Sequence, residues 1–336
     1  MKVIFLNDNI SKLKMVFDIN KVLDTIGCNL NDICFTKNDV LKRKREFDDV
    51  EVIFSTWYMP QFTQNEIVDI FPNLKAVFYA AGTVKYFAEP FLENGIKIFQ
   101  SGQANGIAVA EFTVAQILLA NKGYFQAQRI YKSPLYRYNY NKAHSIIKIK
   151  PGNYEATVGI IGVGAIGSYV VELLRPYNLR VLISDPAISK EEANEWGTVV
   201  VSLEEIFENS DVISNHLPDI PSTKNLLNYK LFNSMKKGAT FINTGRGSTV
   251  VEKDLVKALK RDATKCALLD VTGHEPIWPW SPLLYMRNIF LSPHMAGSTG
   301  KEEKRLGEYA LETYRQYIKG FDCHGEVTKD ILYKMT

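Results

Sequence analysis

Three short segments of this chain hold residue types that can handle a carbonyl compound. Each sets a titratable group just after an apolar run that reads as a strand. The first is Phe241-Ile242-Asn243-Thr244-Gly245-Arg246-Gly247. The second is Leu268-Leu269-Asp270-Val271-Thr272-Gly273-His274-Glu275-Pro276. The third is Phe290-Leu291-Ser292-Pro293-His294-Met295-Ala296-Gly297-Ser298. A 2-oxo acid needs a cation for its carboxylate and a proton donor for its carbonyl oxygen. The planar guanidinium of Arg246 suits the first task. His294 is a natural acid and base near neutral pH, and Glu275 would favour its imidazolium and fix its orientation. His274, beside Glu275, is the rival acid. A lone arginine after a strand is usually a surface residue, and a lone histidine usually just a hydrogen-bonded one. In an open α/β sheet, however, the carboxyl ends of the strands line the ligand crevice, so all three segments face one end.

A hydride carrier is needed at that end, and a glycine loop answers the need. The run Thr157-Val158-Gly159-Ile160-Ile161 leads into Gly162-Val163-Gly164-Ala165-Ile166-Gly167, then a helical pattern, then a second strand ending at Asp185. Gly162 allows the tight turn, Gly164 lets the backbone approach a pyrophosphate, and Gly167 lets helix and strand pack closely. The helix start offers unpaired N–H groups to the phosphates. A bare glycine motif can be a plain packing device, and methyltransferases carry similar loops. Here strand, loop, helix, strand and terminal acid agree. The Asp185 carboxylate would accept from the adenosine ribose hydroxyls and repel a 2′-phosphate, which favours NAD over NADP.

These segments need a scaffold of alternating strands and helices, and the chain supplies one. Strands are predicted at 2–6, 51–55, 74–79 and 96–99, then at 157–161, 180–184, 198–201, 211–215, 239–243, 265–270 and 288–292. Amphipathic stretches separate them. One is Leu13, Val16, Phe17, Ile19, Val22, Leu23 and Ile26, closed by Gly27; another runs from about 105 to 130; a last one spans 299–319, with Leu306, Tyr309, Leu311, Tyr314 and Ile318 on its apolar side. Continuous apolar strands alternating with helices predict α/β architecture, with parallel sheets covered on both faces. The length, 336 residues, suggests about two domains. A hydrophobic share of 46% supplies their cores, and 40 basic against 37 acidic residues imply neither nucleic acid nor membrane. No run approaches the roughly 18 apolar residues of a membrane span. Cys28, Cys34, Cys266 and Cys323 form no CxxC pair and read as reduced thiols of a cytosolic protein.

The segments GVGAIG, DVISNHLP, GATFINTGRG, ALLDVTGHEP and NIFLSPHMAGST together resemble the D-isomer-specific 2-hydroxyacid dehydrogenases. The resemblance runs from residue 2 to the helix after Ser298. It implies catalytic roles for Arg246, Glu275 and His294. It places Gly162, Gly164, Ala165, Ile166, Gly167, Asp185, His216, Leu217, Pro218, Thr244, Gly245, Arg246, Asp270, His294, Ala296 and Gly297 against NAD. It also assigns the substrate to Arg246, His294 and the loop Ala81, Gly82, Thr83, and Ala108-Val109-Ala110-Glu111 looks like the start of the family's interdomain helix. The implied layout is two doubly wound parallel-sheet domains. A Rossmann-type NAD-binding domain, 104–298, is inserted in a flavodoxin-like substrate (catalytic) domain, 1–103 and 299–336. Homodimers are usual in the family, a cytoplasmic location is expected from the cysteines, and no metal is expected. The chain departs from the family at Lys85, at Gln100-Ser101-Gly102-Gln103, and at Thr272-Gly273-His274 before the glutamate. These positions surround the substrate, so the resemblance implies the reaction type and leaves the substrate open.

Alternatives stand beside this reading. A phosphite-type dehydrogenase of the same family keeps the Arg, Glu and His. Formate enzymes of the family place Gln where Glu275 stands, which counts against formate. Corepressor-like proteins that sense NAD(H) keep the same three residues, but this chain has no long disordered tail. The stretch 112–154 carries seven basic and no acidic residues, with Tyr131, Tyr136, Tyr138 and Tyr140 interleaved. It could form a nucleic-acid platform, and an interface arm is the better reading. The run Lys42-Arg43-Lys44-Arg45 reads as a solvated face. Trp57, Tyr58, Met59 and Tyr79 could line a substrate or pack between domains, and Trp278 and Trp280 could cap the site or the dimer.

Overall fold

The computed structural model describes residues 1–132, 134 and 140–334. Tyr136 and Tyr138 of the basic arm lie outside the described residues. The chain divides into two compact units. One comprises Met1–Asn105 with Ser298–Thr336, the other Gly106–Gly297.

The first unit is built on five parallel strands: β1 (Lys2–Leu6), β2 (Cys34–Phe35), β3 (Val50–Ser55), β4 (Ala76–Tyr79) and β5 (Lys97–Gln100), in the order β2-β1-β3-β4-β5. This is the flavodoxin-like order. The strands are buried almost throughout because helices cover both faces. On one face Phe5, Phe54, Phe78 and Phe99 sit opposite one another in register and stack with centroids 5.0–5.2 Å apart. The helix Glu303–Ile318 closes that face with Leu306, Ala310, Leu311 and Tyr314. Gly307 is required there, since a Cβ would lie 2.4 Å from the Val16 carbonyl oxygen.

Several local expectations need correcting in this unit. The two-residue strand β2 was not predicted; so short a segment carries no periodicity. The stretch from 13 to 26 forms two helices, Ile10–Val16 and Ile19–Ile26. They break at Asp18, whose carboxylate caps the second by accepting from the Asn20 and Lys21 N–H groups. Ile19, Leu23 and Ile318 are exposed rather than packed.

The second unit has seven parallel strands: β6 (Thr157–Ile161), β7 (Arg180–Ser184), β8 (Val199–Val200), β9 (Val212–Asn215), β10 (Thr240–Asn243), β11 (Cys266–Leu269) and β12 (Ile289–Leu291). Their order, β12-β11-β10-β9-β6-β7-β8, is the dinucleotide-binding order with one strand added. The direction of progression reverses between β6 and β9, so the loops after these two strands flank the switch point. Helix starts are fixed locally. Ser189 with Glu192, and Ser202 with Glu205, form reciprocal capping boxes.

The predicted helix from 105 to 130 is two helices, Gly102–Asn121 and Tyr124–Lys132, parted where Gly123 adopts φ +70°. By length and composition the first could cross a membrane, contrary to the sequence-based expectation. It reads instead as a core helix, because Ala110, Val114, Ile117 and Ala120 pack into the second unit's core.

Candidate active site

The glycine loop is shaped by steric necessity. Gly162, at φ +81°, leaves β6, and a Cβ there would meet the His216 backbone at 3.0 Å. Gly167 lies so close to this turn that a Cβ would stand 2.1 Å from the Gly162 carbonyl oxygen. Gly164 faces open space, with nothing within 4 Å of a Cβ. It is also the N-cap of the helix Ala165–Leu174, and no side chain caps that helix. The uncapped N–H groups of Ala165 and Ile166 therefore open onto a cradle suited to a pyrophosphate. Asp185 is partly committed: one carboxylate oxygen accepts from the Val163 N–H at 2.7 Å and the other from Ala187 at 2.9 Å. It holds the glycine loop, and each oxygen keeps a second lone pair.

His216 and Leu217 follow β9. The His216 ring bonds Ser214 Oγ through Nε2 at 2.9 Å, while Nδ1 is buried with no partner among the described residues. Burial pushes this imidazole down to about 4, so it is neutral at ordinary pH. Pro218 is exposed. Thr244, after β10, spends its hydroxyl on Thr113 of the long helix, at 2.9 Å. Gly245 packs so closely that a Cβ would meet the Asn215 carbonyl oxygen at 3.0 Å.

Arg246 is half-buried, and its backbone is fixed. Its carbonyl accepts from Asn243 Nδ2 and from the Thr249 hydroxyl, and its Nη1 donates to the Gly245 carbonyl. Burial lowers its guanidinium below the ordinary value, and the charges of Asp219 and Glu275 oppose that change. It remains a cation throughout the working range.

Glu275 and His294 meet directly. His294 Nδ1 lies 2.7 Å from Glu275 Oε2, and both side chains are partly exposed. The second Glu275 oxygen accepts from the Thr272 N–H at 3.1 Å, so the carboxylate is held from both sides. His294 sits at φ +51°, which a side-chain-bearing residue adopts only when its surroundings impose it. Asp270 imposes it. This buried residue follows β11; its carbonyl accepts from the His294 N–H, and its carboxylate accepts from Ser292 Oγ, Met295 N–H and Ala296 N–H. Gly297 closes this loop. A cavity of about 460 Å³ adjoins the pair, lined by Asp270, Ile277, Leu284, Leu291 and His294 among others. His274 is occupied elsewhere: Nδ1 contacts the Pro276 carbonyl at 2.6 Å and the ring stacks on Trp278 at 3.9 Å. Trp278 stacks in turn on the exposed Trp280.

The second unit thus brings Arg246, Glu275, His294, Asp270 and the glycine loop to one end of one sheet. Ala81, Gly82 and Thr83 lie after β4 in the first unit, where Ala81 is buried and no atom comes within 4 Å of a Cβ on Gly82. Met59 and Tyr79 belong to that unit's core. Trp57, Tyr58 and Tyr79 line a cavity of about 520 Å³ with Lys12 and Tyr86. Sequence reasoning missed Thr113 as the partner of Thr244, and Thr249 with Asn215 and Asn243 as the support of Arg246. Polar residues at strand ends are the only sequence signal for them.

A family model described as the D-isomer specific 2-hydroxyacid dehydrogenase, NAD binding domain, matches residues 114–296. The chain is 31% identical over 273 residues to a glyoxylate reductase of Thermofilum pendens, covering 80% of this chain and 78% of that protein. It is 28% identical over 305 residues to a D-3-phosphoglycerate dehydrogenase of Methanocaldococcus jannaschii, covering 90% of this chain but 56% of that protein. The chain thus spans little more than half the length of that relative. Among solved structures, apo D-mandelate dehydrogenase of Rhodotorula graminis aligns over 98% of both chains, with a TM-score of 0.78 at 20% identity. The NAD-complexed D-isomer specific 2-hydroxyacid dehydrogenase of Lactobacillus delbrueckii ssp. bulgaricus aligns over 98% of this chain and 100% of that one, with a TM-score of 0.77 at 21% identity. These two structural likenesses show the fold.

Proposed function

Because this chain belongs to the D-isomer-specific 2-hydroxyacid dehydrogenases, a family of NAD-dependent oxidoreductases, we propose that it reduces a small 2-oxo acid to the D-2-hydroxy acid. The Glu275–His294 pair, at 2.7 Å beside Arg246 and at the carboxyl end of the sheet that carries the glycine loop, is the observation that carries this reading. The bound nicotinamide supplies the hydride for C2. Gly162, Gly164 and Gly167 shape the cradle for the cofactor's pyrophosphate, and the Asp185 carboxylate takes the adenosine ribose. Arg246 grips the substrate carboxylate, as do the backbone amides of Ala81, Gly82 and Thr83. His294 delivers a proton from Nε2 to the carbonyl oxygen as the alcohol forms. Glu275 keeps Nδ1 hydrogen-bonded, which fixes the ring's orientation. In the reverse direction the neutral ring takes the proton back.

Relatives named for glyoxylate and hydroxypyruvate reduction make those two acids the first to test. We propose a homodimer in the cytoplasm; the free state of all four cysteines agrees with a reducing compartment. The test is a panel of 2-oxo acids with NADH and with NADPH, followed by loss of reduced-cofactor absorbance. Turnover of at least one acid with a preference for NADH is expected. No turnover of any acid with either cofactor would overturn the proposal.

A further inference from the structure

Resting on the reading of Glu275 and His294 as the acid–base pair, we infer that Glu252 is a positioning residue for the reduction. Its carboxylate fixes the loop 271–276, which carries Glu275, against the turn that carries Arg246.

Glu252 is the first residue of the helix Glu252–Arg261, which follows the Arg246 turn in the chain. That helix is a rigid mount. Leu255, Val256 and Leu259 lie in the core of the Gly106–Gly297 unit, and the Val251 N–H just before the helix donates to the Leu227 carbonyl at 2.9 Å. From this mount Glu252 Oε1 accepts from the Gly273 N–H at 2.6 Å. Gly273 belongs to the loop after the next strand, β11, so the bond ties two successive strand-end loops together.

The loop needs a hold at that residue. Gly273 is exposed, and glycine has the widest backbone freedom of any residue. Downstream, His274 is already fixed on the Pro276 carbonyl and the Trp278 ring. The Glu252 bond restrains the upstream side. The peptide group between Thr272 and Gly273 then touches both parts of the site. On one flank Gly247, next to Arg246, packs so closely that a Cβ would lie 2.0 Å from the Thr272 carbonyl oxygen and 2.6 Å from the Gly273 nitrogen. On the other, the Thr272 N–H donates to Glu275 Oε1 at 3.1 Å, and Glu275 Oε2 lies 2.7 Å from His294 Nδ1. Glu252 therefore acts on the proton donor through Gly273, Thr272 and Glu275, without touching substrate itself.

The Glu252→Ala variant tests this. The bond is in contact with water, so its loss should lower kcat for an accepted 2-oxo acid by about fivefold, the net worth of one hydrogen bond. The Kd for NADH should not move. Glu252→Gln keeps an acceptor oxygen and should restore kcat to within about twofold of wild type. In a Glu275→Ala background the group to be placed is gone, so adding Glu252→Ala should cost nothing further; a residue that only stabilised the fold would cost the same in both backgrounds. Hydrogen exchange of the whole protein, read by mass spectrometry on a peptide covering 271–276, follows the hold without turnover. Exchange there should quicken in Glu252→Ala and stay at the wild-type rate in Glu252→Gln. The inference is overturned if Glu252→Ala leaves kcat or this exchange unchanged, if Glu252→Gln is as impaired as Glu252→Ala, or if the loss is the same in the Glu275→Ala background. Failure of every 2-oxo acid to turn over would instead overturn the reading of the site, and the exchange rates would then decide by themselves whether Glu252 holds the loop.

Discussion

Replacing Asp270 by Asn should cripple turnover while sparing the fold. The Asp270 carboxylate accepts three hydrogen bonds, from Ser292 Oγ at 2.5 Å, Met295 N–H at 3.0 Å and Ala296 N–H at 2.9 Å. All three donors belong to the loop that carries His294 at φ +51°. One carboxylate oxygen takes the first two bonds and the other oxygen takes the third. An asparagine has one acceptor oxygen, so its NH2 must face at least one backbone N–H, donor against donor. At least one bond to a charged group is lost, worth about 1.5–3 kcal/mol, or roughly ten- to hundred-fold. Because that loop places His294 against Glu275, the loss should fall on kcat for reduction of an accepted 2-oxo acid. Steady-state kinetics with NADH, with near-native circular dichroism as a control for folding, measure it. A kcat within about twofold of wild type would refute the claim that this carboxylate holds the catalytic loop.

Other expectations follow from single contacts. His216, half-buried and with its pKa pushed down by desolvation to about 4, stays neutral when the unfolded chain already takes up a proton. Stability is then lost as pH falls from the ordinary 6.5 towards 4, by about 2 kcal/mol at pH 5. A His216→Leu variant should lose that much less between pH 7 and 5 in urea melts, and parallel losses would contradict the assignment. Gly167→Ala places a Cβ 2.1 Å from the Gly162 carbonyl oxygen, so NADH binding measured by fluorescence should weaken by at least about fivefold, from overpacking of about 1–3 kcal/mol. An unchanged Kd would show that the loop yields. His274→Ala should keep kcat within a few-fold, since that ring serves Pro276 and Trp278; complete loss would make His274 the acid.

The parts of this molecule that were legible in the sequence are those where one residue type answers one steric or chemical demand. Gly162 and Gly167 are such positions, and strands β1, β6 and β7 begin and end where the apolar runs do. Breaks caused by single local bonds were hidden. Asp18 splits one amphipathic pattern into two helices by capping the second, and Gly123 splits another, although the apolar periodicity runs straight through both. The candidate residues Arg246, Glu275 and His294 could be named from their segments, but the contacts that support them could not. Thr113 stands 131 residues from Thr244, and the three bonds of Asp270 depend on how the loop after β12 folds back. Periodicity cannot report such contacts because they join elements rather than describe them. The membrane-length helix Gly102–Asn121 is the converse case, where apolar composition alone misdescribes a segment half-buried in the protein.

The central claim is that His294, held by Glu275, gives the proton to a 2-oxo acid as hydride arrives. Initial rates of 2-oxo-acid-dependent NADH consumption by wild type and by His294→Ala, measured side by side on the best acid of the panel, test it most directly. The account predicts that the variant binds NADH normally, loses about 10²–10⁴-fold in rate, and that the wild-type product is the D-isomer on a chiral column. Wild-type rates from the variant, or an L-product, would contradict it.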